Sequence, residues 1–356
     1  MRYMKTGLTH HASGLAAPGF TLFSPLSLPK TFLLNMAGQV VHEWDLPGSP
    51  SNYARLLENG NLSVACRAEG GEVDMARGGV MMEMDWEGNV LWQYVDPYQH
   101  HDFRRMDNGN LIYIAWQLLP VEFAKRVRGG MPGSEHQRGI WGDCIREVDG
   151  SGERVWEWRA WEHMEIEKYP LGPNSNRHEY AHPNTIVPLA GGDALICFRH
   201  IDLIAIVDRA SGDFTWQRHE PDWGGPHDVQ VLDNGNMMIF ANRQGRMPAG
   251  SKVVEFERAG GETIWEFQAN PSHTFDSHFI SGAQRLWNGN TLICEGLWGR
   301  LFEVTREGEL VWEYISPYTF KQSAPGPSVG DVNFVFRAYR YPADGPEIAG
   351  RLGAAD

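Results

Sequence analysis

The chain has 356 residues, 42% of them hydrophobic and 21% charged, the composition of a folded globular protein large enough to need no disulfide or metal to hold it together. Its 45 acidic against 31 basic residues give a formal charge of −14, which excludes non-specific nucleic-acid binding and disfavours an anionic membrane surface. Its four cysteines, Cys66, Cys144, Cys197 and Cys294, form no CxxC pair, so a zinc ribbon or thioredoxin-type site is excluded and buried thiols are expected.

The first residues, MRYMKTGLTHHASG, carry no apolar signal-type run, and no stretch of 18 apolar residues follows. The expectation is a cytoplasmic protein with no membrane partner. Residues 1–18 are read as an N-terminal extension. From residue 19 a strand pattern begins, GFTLFSP, TFLLNM and VVHEWDL, and a Gly-x-apolar-apolar-Trp-Glu/Gln-aromatic motif then recurs along the chain. It reads GNVLWQY from Gly88, GERVWEW from Gly152, GETIWEF from Gly261 and GELVWEY from Gly308. GDFTWQR from Gly212 is a weaker copy, and in GQVVHEW from Gly38 the Trp is replaced by His42. Each copy follows a short apolar run and a polar turn, so each is a β-hairpin.

A second hairpin alternates with the first. Its turn is Asn-Gly-Asn at Asn59–Asn61, Asn108–Asn110, Asn234–Asn236 and Asn288–Asn290, with a degenerate Gly191-Gly192-Asp193 copy. Asn-Gly predicts a two-residue type I′ turn. Two hairpins per repeat make a four-stranded antiparallel sheet, and this period fits a propeller blade better than a sandwich or barrel. Inner strands are expected near 53–58, 102–106, 183–187, 228–232, 281–286 and 332–339. The last lacks its three partners at the C-terminus, and those partners are the three N-terminal strands. The prediction is an all-β, six-bladed β-propeller over 19–342, a single domain closed by the C-terminal inner strand, with 343–356 as a tail.

The Asn-Gly-Asn and Gly turns lie on one face of such a ring. The long segments 67–77, 117–141, 160–181, 218–226, 242–250, 268–280 and 316–331 all fall on the other, where long loops on a rigid scaffold build sites. The inner strands start on that face, beside the axis. Seven residues before each Asn-Gly turn stand Asn52, His101, His227 and Ser281, and the degenerate copy contributes His182. A lone histidine is usually structural, but three at equivalent ring positions are brought together by symmetry. Asn184 follows His182, and His278 precedes Ser281. Arg199, His200 and Arg243 end strands near the mouth, and the last inner strand offers Arg337 and Arg340. Histidines and arginines converging in an acidic protein point to an anionic group such as sulfate, phosphate or carboxylate.

Across 19–342 the chain resembles the bacterial arylsulfotransferase family. The resemblance rests on GFTLFSP…TFLLNMAGQVVHEWDL, HHDFRRMDNGNLI, GIWGDCIREVDGSGERVWEW, HPNTIVPL, GGPHDVQVLDNGNMMIFANR, SGAQRLWNGNTLICEG and VFRAYRYP. It implies a six-bladed propeller that moves a sulfuryl group between phenols through a sulfated histidine, without a nucleotide donor. His227 of GGPHD would be the nucleophile and His101, His182 and Arg199 its catalytic partners. Asn184, Ser281, His278 and Arg337 would contact a small aryl or anionic substrate. The family members are typically exported and carry an extra N-terminal β-domain; this chain departs from them in both respects. No cofactor is expected on this reading. The alternative is a metal-dependent lyase, hydrolase or isomerase, with a divalent ion on His101, His182 and His227 and Glu179 or His278 completing the sphere. A protein-binding propeller ranks third, because it needs no axial histidines. The sequence leaves the oligomeric state open.

Overall fold

In a computed structural model, residues 5–321 and 331–353 are described; the predicted long loop 316–331 therefore lies partly outside the described residues. Six antiparallel sheets form the ring. Blade 1 pairs Val335–Tyr341 with Phe20–Pro25, Lys30–Leu34 and Val40–Asp45, so the last strand joins the first three as expected. Blade 2 is Pro50–Leu56, Leu62–Arg67, Gly79–Met84 and Val90–Val95; blade 3 is Gln99–Arg105, Leu111–Leu118, Trp141–Val148 and Arg154–Arg159. Blade 4 is Pro183–Pro188, Ala194–Phe198, Leu203–Val207 and Phe214–His219, and blade 5 is His227–Val231, Met237–Ala241, Lys252–Phe256 and Thr263–Phe267. Blade 6 is Gly282–Arg285, Thr291–Glu295, Arg300–Val304 and Leu310–Ile315. The N-terminal extension also has ordered structure: Gly7–His11 adds a fifth, outermost strand to blade 6. Second and third strands alternate around buried apolar residues that fill the space between neighbouring blades, as sheets stacked face to face require.

The recurrent tryptophan has a specific structural job. Each indole N–H crosses to a backbone carbonyl in the turn of the next blade: Trp92 to Gly150, Trp156 to Arg209, Trp216 to Arg258 and Trp265 to Arg306. Trp312 reaches Met36 and closes the circle from blade 6 to blade 1. In the degenerate copy His42 Nε2 takes the same place against Trp86 O at 2.9 Å. Six equivalent staples, each worth about 1 kcal/mol, thus run around the ring.

The Asn-Gly-Asn turns differ from expectation. Only the glycine takes a positive φ, for example Gly60 at +81°, and Leu57 N bonds Asn61 O across three residues. This is a type I turn closed by a left-handed glycine, not type I′, whose first central residue would also need positive φ. Both asparagines are used. The first accepts the backbone N–H of the second through its side chain, and the second donates to a third-strand glutamate, as Asn61 to Glu83, Asn110 to Glu147 and Asn290 to Glu303.

Halfway along the axis the channel is plugged by a buried ion cluster. Arg337, fully buried, places Nη1 3.1 Å from Asp102 and Nε 3.1 Å from Asp228, and donates to Asn184 O and Thr185 Oγ1. Arg104 and Tyr53 complete the set around Asp102. Burial pushes the Asp102 carboxyl up, but Arg104 and Arg337 outweigh it and hold it below its ordinary range. This corrects the expectation that Arg337 binds substrate: its guanidinium is spent on two interior carboxylates. Arg340 is likewise held by Glu303, Thr21 and Ala17 O.

Candidate active site

Above this plug, on the long-loop side, the inner strands begin in an unusual backbone. His101, Ala181, His182, Asp228, Ile280 and Ser281 all have φ between +53° and +94°. Left-handed conformations in non-glycine residues cost free energy and collect where a site needs side chains aimed in directions a regular strand does not offer. Here they turn the strand starts toward the axis.

The imidazole of His227, 1% exposed, is fixed by two acceptors. Its Nδ1 lies 2.7 Å from Asn242 Oδ1 and 3.0 Å from Gly225 O. Asn242 cannot present its amide nitrogen instead, because Nδ2 donates to Ser277 O at 2.6 Å and Ile280 O at 2.8 Å. The proton of neutral His227 therefore sits on Nδ1, and Nε2 carries the lone pair with no partner among the described residues. Burial, and then the Arg199 charge, hold His227 well below the ordinary histidine value, so it is neutral at pH 7.

His101 and His182 stand beside each other, ring centroids 4.4 Å apart, and His200 stacks on His182 at 4.4 Å. His182 Nδ1 shares a proton with Glu179 Oε1 across 2.7 Å. His101 Nδ1 meets His100 Nδ1 at 2.7 Å; His100 stacks on Trp116 and points Nε2 at Asp143, 3.5 Å away. Arg199 donates to His200 Nε2 at 2.9 Å and to Gln244, and its Nε is buried without a partner. His278 is exposed at the mouth, close enough to Arg199 to feel its charge.

The expected catalytic set, His227, His101, His182 and Arg199, thus gathers at one end of the axis. Two expected substrate contacts do not present themselves. Asn184 donates to Pro226 O and accepts from Thr185 Oγ1, so its amide fixes the residue preceding His227 and is not free to bind substrate. Ser281 donates to Ser277 Oγ and accepts from Gly296 N. Arg243 points away, to Pro248 O and Asp222. Sequence reasoning missed His100, Asn242 and Asp143. The doubled histidine at 100–101 was a visible signal; Asn242 was overshadowed by its neighbour Arg243, although only the asparagine faces inward.

The donor set does not suit a metal on His101, His182 and His227. Among the described residues, the ligand atoms that gather closely enough belong to Glu179, His182 and His200. There Glu179 is already bonded to His182, and His200 Nε2 faces the Arg199 guanidinium, which a dication would repel.

Five buried imidazoles, His100, His101, His182, His200 and His227, are all held well below their ordinary value, first of all by burial. A histidine that stays neutral when folded takes up a proton only on unfolding, so the stability it contributes is present above pH 6.5 and is lost as the pH falls below it. Asp143, Glu179 and Asp202 (the last pushed up to about 6) shift the opposite way through burial and offset part of the loss. Chemical denaturation is expected to find the protein on the order of 3 kcal/mol less stable at pH 5.5 than at pH 7.5. Equal stability at the two values would mean that the cluster is charged in the folded state.

The structure is thus a six-bladed β-ring with five imidazoles and Arg199 gathered at one end of its axis. The arylsulfotransferase (ASST) family model matches residues 57–317, and the chain belongs to that family. Among curated proteins no sequence matches. A Bacteroides caccae protein of unknown function superposes with a TM-score of 0.58 at 14% identity, over 90% of this chain and 98% of that one, and shares the fold. A streptogramin B lyase (12% identity, 91% and 86% covered, TM-score 0.47) and the Staphylococcus aureus virginiamycin B lyase (13%, 87% and 88%, 0.48) are more distant in structure. Among the described residues no helix is long and apolar enough to cross a membrane.

Proposed function

We propose that the protein transfers a sulfuryl group from an aryl sulfate to a phenol by a ping-pong route through His227. The observation that carries this is the His227 tautomer: Asn242 and Gly225 O hold the proton at Nδ1, leaving an unprotonated Nε2 at the axis beside Arg199. In the first half-reaction Nε2 forms a bond to sulfur, the aryl O–S bond breaks and the phenolate departs. Arg199 stabilises the sulfuryl oxygens, as donors fixed in advance do in other group transfers. In the second half-reaction the acceptor oxygen takes the sulfuryl group, the N–S bond breaks and His227 returns to its starting state.

The phenolate needs a proton on leaving, and the acceptor must lose one. His101 serves both halves. Burial and the neighbouring Glu179 raise the Asp143 carboxyl well above its usual range; on this reading it holds a proton for His100 Nε2, which stands 3.5 Å away and is not hydrogen-bonded to it at rest. Through His100 Nδ1 the proton is relayed to His101 Nδ1, and His101 Nε2–H is the donor at the axis. When Nε2 gives its proton to the phenolate, each link passes one proton on and Asp143 ends as carboxylate; the acceptor phenol reverses the sequence. His182, paired with Glu179, lines the same space.

The reading is tested by steady-state kinetics with a chromogenic aryl sulfate and a phenol acceptor. Acceptor-dependent release with parallel double-reciprocal lines is expected; release without any acceptor dependence contradicts it. The relay makes a separate prediction. His100→Phe keeps the stacking on Trp116 but cuts the proton supply. It is expected to slow donors with poor, strongly basic leaving phenols by about 10²-fold or more, and 4-nitrophenyl sulfate far less, because general-acid assistance matters in proportion to leaving-group basicity. Equal losses for both donors would show that His100 only packs.

A further inference from the structure

The other end of the axis, on the tight-turn face, holds a cavity of about 640 Å³, separated from the histidines by the Arg337 ion cluster. It is a basic hollow in an acidic protein. Four arginines line it, Arg55, Arg104, Arg285 and Arg306, against two carboxylates, Glu255 and Asp233. Arg104 is matched by Asp102 behind it. Arg285 and Arg306 both converge on a single oxygen of Glu255, at 2.8 and 2.9 Å, so one negative charge serves two cations. Asp233 sits exposed at the rim.

Arg55 is the informative residue. It has no carboxylate partner among the described residues. Its Nη2 donates to Tyr339 Oη at 2.6 Å, its guanidinium carbon lies 3.9 Å from the Tyr339 ring, and its Nε is buried with nothing to bond. The Nε of Arg285 is buried and unbonded as well. Burying guanidinium N–H groups without an acceptor costs free energy, which an oxyanion in the hollow would recover. Gln230, Asn234 and Gln284 add polar groups to the wall, and its apolar part runs from Val231, Leu232 and Leu286 to Trp287, which is 48% exposed at the entrance. The volume exceeds what a bare inorganic ion fills and lies in the range of small-molecule sites.

We propose that this hollow is a binding site for a small organic anion, a sulfate, sulfonate, phosphate or carboxylate on an aromatic or aliphatic body, with Arg55, Arg285 and Arg306 taking the oxyanion and Trp287 and Leu286 the body. The site is distinct from the histidine cluster and does not depend on the transfer chemistry.

The test is calorimetric titration of the full chain with 2-naphthalenesulfonate, which has no transferable group, at constant ionic strength set with chloride, with inorganic phosphate as competitor. The sulfonate is expected to bind and phosphate to displace it. An aryl sulfonate also suits the histidine end, where Arg199 faces the sulfuryl oxygens, so the titration is run in the Arg199→Gln background, in which Arg55→Gln and Arg306→Gln are each expected to weaken binding at least tenfold. Arg306 is at the surface, so its variant tests the idea even if Arg55→Gln disturbs folding. The proposal is overturned if the sulfonate does not bind the Arg199→Gln protein, if phosphate fails to compete, or if binding stays within a few-fold in both Arg55→Gln and Arg306→Gln.

Discussion

His227→Ala is expected to reduce sulfuryl transfer from an aryl sulfate to a phenol by at least about 10³-fold and to leave the ring folded. The size follows from its role: no other imidazole in the cluster combines a proton pinned on Nδ1 by a side-chain amide and a backbone carbonyl with an unpartnered Nε2. His182 is committed to Glu179, His101 to His100, and His200 accepts from Arg199. The stability cost should be modest, about 1–2 kcal/mol, because the truncation leaves Asn242 Oδ1 without its donor but creates space that opens toward the site. Circular dichroism and denaturant unfolding measure the fold, and the acceptor-dependent assay measures transfer. Activity within tenfold of the native protein would remove His227 from the nucleophile's place.

The largest expected effect on stability comes from the centre of the axis. Arg337→Leu is expected to cost about 3–5 kcal/mol in denaturant unfolding, because it strands two buried carboxylates at once. Asp102 would keep Arg104 and Tyr53, but Asp228 would lose the one cationic contact it has among the described residues, and Asn184 O and Thr185 Oγ1 would lose their donor. The double variant Arg337→Leu with Asp228→Asn should recover part of the loss, since the uncompensated charge and not the missing contact dominates. A single-variant cost under about 1 kcal/mol would show that the cluster is held by its surroundings instead.

Much of the fold could be read from the chain because its signals are local and repeated. Asn-Gly-Asn and Gly-x-x-x-Trp mark the same two turns in blade after blade, so even a degenerate copy, such as His42 for tryptophan, keeps its place in the staple. The axial position of His101, His182 and His227 followed from counting back from those turns. The N-terminal strand Gly7–His11 gave no such signal: as an outer edge strand it has no buried face, and its residues do not alternate. The turn type was misjudged because Asn-Gly serves both forms, and the choice depends on one extra residue in the loop.

The site was less legible because its chemistry depends on partners far apart in sequence. Asn184, Ser281 and Arg337 are the right residue types to hold an anion. What decides otherwise is that Asn184 meets Pro226 O, Ser281 meets Ser277 and Gly296, and Arg337 meets Asp102 and Asp228, contacts reaching across blades. The choice of Arg243 over Asn242 failed for a similar reason. Adjacent strand residues face opposite ways, and the sequence does not say which one the strand end turns inward.

The most direct test of the account is the intact mass of the protein after mixing with a chromogenic aryl sulfate and no acceptor, followed by peptide mapping at alkaline pH, where a sulfated imidazole survives. The account predicts one added sulfuryl group per chain, located on His227 and discharged when a phenol is supplied. Acceptor-dependent transfer with no adduct at any time, or an adduct that persists in His227→Ala, would contradict it.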